Sequence, residues 1–243
     1  MDLLLNCDLG EAAGGDQLAI EAQVMPYIDQ ANIACGFHAG NSQIMNQTLA
    51  LAKQHKVAVG AHPSYPDKFN FGRQSMTMTS PDLIACLNYQ ILSLEKNAKE
   101  HAIDLDYVKP HGALYNDMMV NGHLRSAVMA SVANSACSSL MLQATAHQET
   151  HRQEAEMFGI QLLFEVFADR AYQDSGALVP RNQSGAILDK EKMLAQVSQL
   201  SHQGSLTTIS GKRLKLSANS LCVHGDNPQA VSEISQIRAM LKA

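Results

Sequence analysis

The sequence predicts a single α/β domain over residues 1–243, an irregular (β/α) barrel built around seven parallel strands. Its 243 residues match the roughly 250 residues that such a barrel typically contains. The apolar fraction of 46% is large enough to fill one core. Short aliphatic and β-branched runs alternate with longer stretches of helical periodicity, which is typical of repeated βα units around a parallel sheet.

Seven segments have the composition of short buried strands, and six longer segments between them have apolar residues at helical spacing. The strands are predicted at 3–6, 31–35, 57–61, 106–109, 140–145, 161–167 and 221–223. The helices are predicted at 42–56, 81–101, 122–135, 148–158, 189–203 and 228–242.

Local chemistry marks three helix ends. Ser80 is a predicted N-cap with Pro81 in the first turn, and Asn227 followed by Pro228 opens the last helix in the same way. Gly204 stands where the preceding helix should end, because glycine readily adopts the left-handed conformation that terminates helices.

Three segments interrupt the alternation of strands and helices. Residues 63–80 are rich in Pro, Phe and Met, and residues 172–186 collect Gly, Ser and Pro. Long connections of this kind inside compact domains are often functional loops. Residues 206–217 predict a hairpin that turns at Gly211 and Lys212.

Charge and composition argue against several classes of protein. The net charge of −5 gives no basic surplus for nucleic-acid binding. Residues 1–6 lack the features of a signal peptide and no stretch has the length of a transmembrane helix, so we expect a cytoplasmic protein with no membrane partner. The five cysteines are scattered, which favours reduced thiols. The sequence contains no P-loop, Rossmann G-x-G-x-x-G or nucleophile-elbow G-x-S-x-G motif.

Nearly every predicted strand runs into charged or polar residues at its carboxyl end. Because the carboxyl ends of barrel strands meet on one face, where such folds build their active sites, we expect these residues to line one basin. In chain order they are Asn6, Asp8, Glu11, His38, His62, Lys109, His111, Tyr115, Glu165, Asp169, Arg170, His224 and Asp226.

Lys109 and Asp8 are the most informative of these residues. A lysine at the end of an apolar strand buries its stem, and its ammonium is costly there unless a carboxylate or an anionic ligand meets it. We expect Asp8 to face a cation, with Lys109 or a histidine as the partner. Glu11 follows Gly10 and begins the next segment, so we favour a helix-capping role for Glu11.

The histidines and cysteines fall into two groups. His38 lies between glycines and His62 precedes a proline-rich turn, at predicted strand ends. The other histidines of helical segments are predicted to be solvated: His55, His101, His123, His147, His151 and His202. Three cysteines in or beside strands are predicted to be buried, inert thiols: Cys7, Cys35 and Cys222.

With these strand ends assembled, the sequence resembles the LamB/YcsF family over almost the whole chain. The resemblance rests on the blocks Asn6-Cys-Asp8-Leu-Gly-Glu11, Ala31-Asn-Ile-Ala-Cys-Gly-Phe-His38-Ala-Gly, Gly60-Ala-His62-Pro-Ser-Tyr-Pro-Asp67, Val108-Lys109-Pro-His111-Gly-Ala-Leu-Tyr115-Asn, Phe167-Ala-Asp169-Arg170-Ala-Tyr, Leu178-Val-Pro-Arg181 and Cys222-Val-His224-Gly-Asp226. Three positions depart from the family's usual pattern: Asn41-Ser42 stands where Asp-Pro is common, and Gln74 stands where a second Arg is usual.

The resemblance implies a fold of the glycoside hydrolase/deacetylase type of irregular β/α barrel. It also implies an ATP-dependent hydrolase of a cyclic amide, which opens the lactam of 5-oxo-L-proline to L-glutamate in a complex with subunits B and C. ATP would be the co-substrate, with Mg²⁺ as its candidate counterion. An unstrained five-membered lactam is a stable amide, so phosphorylation of its oxygen would make the ring carbon electrophilic enough for attack by an activated water.

Such a site needs a cation for the substrate carboxylate, a cation for phosphate and a base. Arg170 or Arg181 suits the first role because a guanidinium binds carboxylates bidentately, and Lys109 suits the second. Several carboxylates and histidines compete for the role of base. As catalytic candidates we select Asp8, Lys109, His111 and Asp169, and as substrate-binding candidates Glu11, His38, His62, Arg170, Arg181 and His224.

Two alternatives remain open at this point. The first is a metal-dependent deacetylase or amidase, with a divalent ion held by Asp8, His38, His62 and His224. The second is a non-catalytic lactam-binding subunit that delivers substrate to partners which carry out the ATP chemistry.

Overall fold

A closed barrel of seven parallel strands forms the centre of the computed structural model, which describes residues 3–11, 15–225 and 227–242. Nine strands are present in the described residues: β1 (Leu4–Leu9), β2 (Gln30–Ala34), β3 (Ala58–His62), β4 (Tyr107–Val108), β5 (Ser139–Gln143), β6 (Gln161–Phe167), β7 (Ser205–Thr207), β8 (Arg213–Lys215) and β9 (Ser220–Val223). The barrel order is β1-β2-β3-β4-β5-β6-β9, so β9 closes it between β6 and β1. The predicted irregular seven-stranded barrel is therefore confirmed.

Helices surround the barrel and connect its strands. In the described residues they are α1 (Gly15–Val24), α2 (Ser42–His55), α3 (Ser80–Glu100), α4 (Gly112–Val120), α5 (Gly122–Ala133), α6 (Gln148–Glu156), α7 (Lys190–Gln203), α8 (Pro228–Ser232) and α9 (Ile234–Lys242), with a 3-10 turn at Met25–Tyr27. Among the described residues, none of these helices has the length and apolar character needed to cross a bilayer.

Two helices escape the sequence prediction, and one predicted helix is divided. Helices α1 and α4 have no counterpart among the predicted helices, although Leu114, Tyr115 and Met118 of α4 are buried at helical spacing. The helix predicted over 228–242 breaks at Glu233 into α8 and α9. The apolar residues keep helical spacing across the break, so the sequence periodicity does not reveal that the helix is interrupted.

Capping chemistry sets most of the predicted helix boundaries. Gly204 ends α7 in the left-handed conformation, and Asn227 caps α8 by accepting a hydrogen bond from the amide of Ala230. The cap of α3 is Thr79 rather than Ser80, because the Thr79 side chain accepts from the amide of Asp82. The helix therefore starts one residue earlier than predicted.

The predicted irregular segments lie where the sequence placed them. Residues 63–79 form neither helix nor strand, and the segment that includes 172–186 contains only two isolated antiparallel bridges, Arg170 to Ile187 and Tyr172 to Leu178. The predicted hairpin is also present, since β7 and β8 pair antiparallel and Gly211 has the positive φ that its turn needs.

Strand register brings the polar strand ends to one level of the barrel. Asp8 on β1 is opposite Asn32 on β2, and Asn6 is opposite Cys222 on β9. β1 runs to Leu9, beyond its predicted end at residue 6. Asn6 and Asp8 are two residues apart in this strand, so their side chains point to the same face. Both side chains are buried.

Candidate active site

Lys109 lies at the end of β4 in the middle of a buried network of charges. Its Nζ is 2.9 Å from Oδ1 of Asp8 and 3.1 Å from Oε2 of Glu165, and the lysine is 2% exposed. Burial alone would lower the pKa of Lys109, but the charge of Asp8 and those of its other acidic neighbours together outweigh burial and raise the pKa well above its usual value. The expectation that a carboxylate meets this ammonium is therefore confirmed.

Asp8 is held ionised by the same contacts. Burial would raise the pKa of its carboxyl group, but the ammonium of Lys109 together with the neighbouring histidines outweighs burial and holds the pKa well below its usual value. Oδ1 accepts hydrogen bonds from Lys109 at 2.9 Å and from the side chain of Asn32 at 2.7 Å. Oδ2 lies 3.7 Å from Nε2 of His62.

A layer of neutral polar side chains inside the barrel holds these charges in place. Asn32 also donates to Asn6 at 2.8 Å, and the hydroxyl of Tyr107 donates to Asn32 at 2.6 Å. Glu165 accepts from the hydroxyl of Tyr115 at 2.7 Å. The Tyr107 ring packs against Gly60, where a Cβ atom would collide with it. Asn32 and Tyr107 were not predicted as site residues.

Glu11 contacts three imidazoles. Its Oε1 is 3.1 Å from Nδ1 of His111, 3.2 Å from Nε2 of His38 and 3.8 Å from Nε2 of His62. Burial would raise the pKa of Glu11, but hydrogen bonds from His111 and His38 lower it instead. The predicted capping role for Glu11 is therefore wrong, because its carboxylate is engaged by residues of the barrel mouth.

Backbone carbonyl groups fix the orientation of two of these imidazoles. Nδ1 of His62 donates to the carbonyl of Lys109 at 2.6 Å, and Nε2 of His111 donates to the carbonyl of Phe71 at 2.9 Å. The ring of His38 stacks on that of His111 with centroids 3.8 Å apart. Burial lowers the pKa of His38 to about 4 and that of His62 to about 3, which favours neutral imidazoles.

A second carboxylate and histidine pair lies at the end of β9. Nδ1 of His224 is 2.8 Å from Oδ1 of Asp169, and Asn227 donates to the other oxygen of Asp169 at 3.0 Å. Burial would raise the pKa of Asp169, but its contacts with His224 and Asn227 lower it instead. Asp169 is 1% exposed, and its hydrogen bond with Nδ1 fixes the orientation of the His224 ring. The last of the predicted strand-end residues, Asp226, lies outside the described residues.

Arginines from both irregular segments add positive charge to the site. Arg170 donates to the carbonyl of Val179 at 2.7 Å, which ties together the chain after β6. Burial and the nearby charge of Arg181 lower the pKa of Arg170 to about 10. Arg181 and Arg73 line the same cavity as Arg170.

These groups surround a cavity of about 730 Å³ at the carboxyl ends of the strands. Eight of the ten predicted site residues line it: Asp8, Glu11, His62, Lys109, His111, Arg170, Arg181 and His224. The other two stand behind the wall, since His38 stacks on His111 and Asp169 bonds His224. Their catalytic and substrate-binding roles remain predictions.

The four residues predicted to bind a divalent ion, Asp8, His38, His62 and His224, do not form one group in the structure. Among the described residues, His38 and His62 group with Glu11 and His111, whereas Asp8 and His224 group with Cys222.

The predicted solvation of His151 is wrong, because this residue of α6 is 4% exposed. The five cysteines are free, as expected, and burial raises the pKa of the Cys222 thiol well above its usual value.

Comparison with known proteins gives a consistent set of relatives. The pattern of the LamB/YcsF family matches residues 3–243. A protein from Pseudomonas fluorescens, named as the A subunit of 5-oxoprolinase, is 46% identical over 241 residues, which cover 98% of this chain and 96% of the relative. A protein of the same name from Vibrio campbellii is 44% identical over 98% of this chain and 95% of its own length. The solved structure of a lactam utilization protein from Thermus thermophilus superposes with a TM-score of 0.87 at 31% identity, covering 100% of this chain and 96% of that one.

Proposed function

This chain belongs to the LamB/YcsF family, and from that premise we propose that it is the A subunit of a 5-oxoprolinase, which opens the lactam of 5-oxo-L-proline to L-glutamate. The observation that carries the proposal is the shared name of relatives that are 42–46% identical over nearly the whole chain, each of which is named as the A subunit of 5-oxoprolinase. These names do not favour the alternative of a metal-dependent deacetylase.

The charges of the cavity suit this substrate. 5-Oxoproline carries one carboxylate, and the guanidinium groups of Arg170 and Arg181 line the cavity where an anion would be attracted. The cavity of about 730 Å³ is large enough for a small cyclic amide and further groups beside it. We assign the substrate carboxylate to these arginines.

Asp8 is our candidate for activating the attacking water. Its Oδ1 is occupied by Lys109 and Asn32, whereas Oδ2 lies 3.7 Å from Nε2 of His62, and Asp8 lines the cavity. The carboxylate is ionised, so a water that donates to Oδ2 would lose a proton toward it as the oxygen attacks the ring carbon. We assign to Lys109 the role of holding Asp8, and to His224, which contacts Asp169, the exchange of a proton with the leaving nitrogen.

The coupling to ATP and the partner subunits are the finer parts of the proposal. Transfer of the γ-phosphoryl group to the lactam oxygen, followed by addition of one water and cleavage of the C–N bond, would leave an acyl phosphate. A second water would release phosphate and L-glutamate. We propose that this takes place in a cytoplasmic complex with subunits B and C, with Mg²⁺ accompanying the nucleotide.

The test is glutamate release from isotopically labelled 5-oxoproline. We expect release by this chain together with subunits B and C in the presence of ATP, and none when this chain or ATP is omitted. Release by this chain alone without ATP would refute the coupled mechanism. Full turnover by B and C without this chain would refute both its catalytic role and a role in substrate delivery.

A further inference from the structure

Three potential ligand atoms converge at the inner wall of the cavity. The carbonyl of Lys109 accepts a hydrogen bond from Nδ1 of His62, and the carbonyl of Phe71 accepts one from Nε2 of His111, so the other nitrogen of each ring is not used by these backbone contacts. These two nitrogens are 3.0 Å apart, and Oε1 of Glu11 is 3.8 Å and 3.1 Å from them. Contacts this close between potential ligand atoms require a proton or a metal ion between them.

The separations of these atoms suit a bound metal ion. A tetrahedral ion with ligand bonds of about 2.0–2.1 Å places its ligand atoms about 3.3 Å from one another. The three contacts of Glu11 range from 3.1 to 3.8 Å, with Nε2 of His38 at 3.2 Å as the fourth ligand atom. All four atoms lie within 4.8 Å of one another.

We propose that Glu11, His38, His62 and His111 form a binding site for one divalent transition-metal ion of the Zn²⁺ type. Three imidazoles and one carboxylate favour such an ion over Mg²⁺, which prefers oxygen ligands, so this ion is distinct from one that accompanies a nucleotide. The hydrogen bonds from His62 and His111 to backbone carbonyls are the outer contacts that orient metal-ligating histidines. The site does not depend on the proposed reaction.

A neighbouring cluster is a weaker candidate because it already holds a cation. Asp8, Cys222 and His224 also bring potential ligand atoms together. The ammonium of Lys109, however, lies 2.9 Å from Oδ1 of Asp8 and 3.2 Å from Sγ of Cys222. A divalent ion there would meet the repulsion of this buried positive charge.

Hydrogen bonds to Glu21 hold the backbone next to Glu11 in place. The amide of Gly10 donates to the carboxylate of Glu21 at 2.8 Å, and Thr48 donates to the other oxygen of Glu21 at 2.7 Å. Glu11, His62 and His111 line the cavity, so the ion would be reached from the side where substrate enters. An ion at this position would be placed to polarise a carbonyl oxygen of a bound ligand.

Metal binding by the full chain, purified without chelators or a histidine tag, tests the proposal. Metal content is measured by mass spectrometry, and chelator-stripped protein is titrated with Zn²⁺ and Co²⁺ against a competing chromophoric chelator. We expect about one equivalent of bound ion, and a visible Co²⁺ spectrum without a thiolate charge-transfer band. His38→Gln and His111→Gln should each weaken binding by at least about 10-fold.

His224→Gln is the matched control, because it alters the neighbouring cluster and keeps all four proposed ligands. We expect its affinity for Zn²⁺ to equal that of the wild-type chain. A wild-type chain that takes up no stoichiometric Zn²⁺ or Co²⁺ would overturn the proposal and leave a proton shared between Glu11 and His111 in its place. A thiolate band in the Co²⁺ spectrum, or a loss of binding in His224→Gln, would overturn it in favour of the other cluster. The metal content and titrations of the wild-type chain test the proposal even if a variant fails to fold. None of these measurements depends on enzymatic activity.

Discussion

Lys109 neutralises two buried carboxylates, so its removal should affect both stability and rate. In Lys109→Met the apolar stem is kept, but Asp8 and Glu165 lose their shared cation. We expect the free energy of unfolding to fall by about 3–5 kcal/mol, the range for breaking a buried ion pair, and glutamate release to become undetectable. Urea denaturation and the assay with the partner subunits measure the two effects.

A double variant separates the two consequences. Adding Glu165→Gln to Lys109→Met removes one of the unpaired charges, so part of the lost stability should return while activity stays absent. Near-normal glutamate release by Lys109→Met would remove Lys109 from the mechanism.

Asp8 and Glu11 are neighbouring carboxylates with different predicted roles. Asp8→Asn keeps the shape of the side chain and its contact with Asn32, and Lys109 retains Glu165 as a partner. We therefore expect kcat to fall at least about 10²-fold with little change in Tm. Steady-state kinetics and thermal unfolding of Asp8→Asn and Glu11→Gln in parallel test this assignment. Normal turnover by Asp8→Asn together with an inactive Glu11→Gln would move the role of activating the water from Asp8 to Glu11.

Helix α6 carries a buried histidine whose protonation should oppose folding. Burial and the nearby Arg125 lower the pKa of His151 below the usual 6.5. Since the unfolded chain takes up this proton at a higher pH than the folded chain, the stabilising effect of neutral His151 is present above about pH 6.5 and declines as the pH falls below it. We expect His151→Leu to lose less unfolding free energy than the wild-type chain between pH 7 and pH 5, by at most about 1.4 kcal/mol per pH unit.

The exposed His147, at the start of the same helix, provides the control for this measurement. His147→Leu should keep the wild-type dependence of urea midpoints on pH. Identical pH dependence in His151→Leu and the wild-type chain would show that His151 is protonated in the folded protein as readily as in the unfolded one.

One bidentate ion pair joins the two ends of the chain at the scale of the whole molecule. Arg238 on α9 donates to both oxygens of Asp29, and Oδ2 of Asp29 also accepts from the amide of Leu5 on β1 at 2.8 Å. We expect Arg238→Met to cost about 1 kcal/mol, which lowers Tm by about 2–4 °C in a chain of this length. Thermal unfolding measures the shift. Lys192→Met, which breaks an exposed pair with Asp189, should leave Tm unchanged, and an equal shift in both variants would contradict a special role for the Arg238 pair.

The sequence by itself determined the class of fold and the face on which chemistry collects. Alternation of apolar strands and amphipathic helices predicted the barrel, because each pattern reports which side of a local element is buried. The polar residues that end these strands were found for the same reason, since parallel strands deliver them to one rim. Of the ten predicted site residues, even His38 and Asp169, which do not line the cavity, contact residues that do.

Only the tertiary structure decided which partners these residues find. Asn32 and Tyr107 meet across 75 positions of sequence, and Glu11 meets His111 across 100 positions, so no local pattern records either contact. Periodicity reports the average burial of a helix face, which is why it missed the break at Glu233 and the burial of His151. The electrostatic character of a buried carboxylate depends on the charges within a few ångströms, and those distances are set by strand register and loop packing rather than by neighbours in the chain.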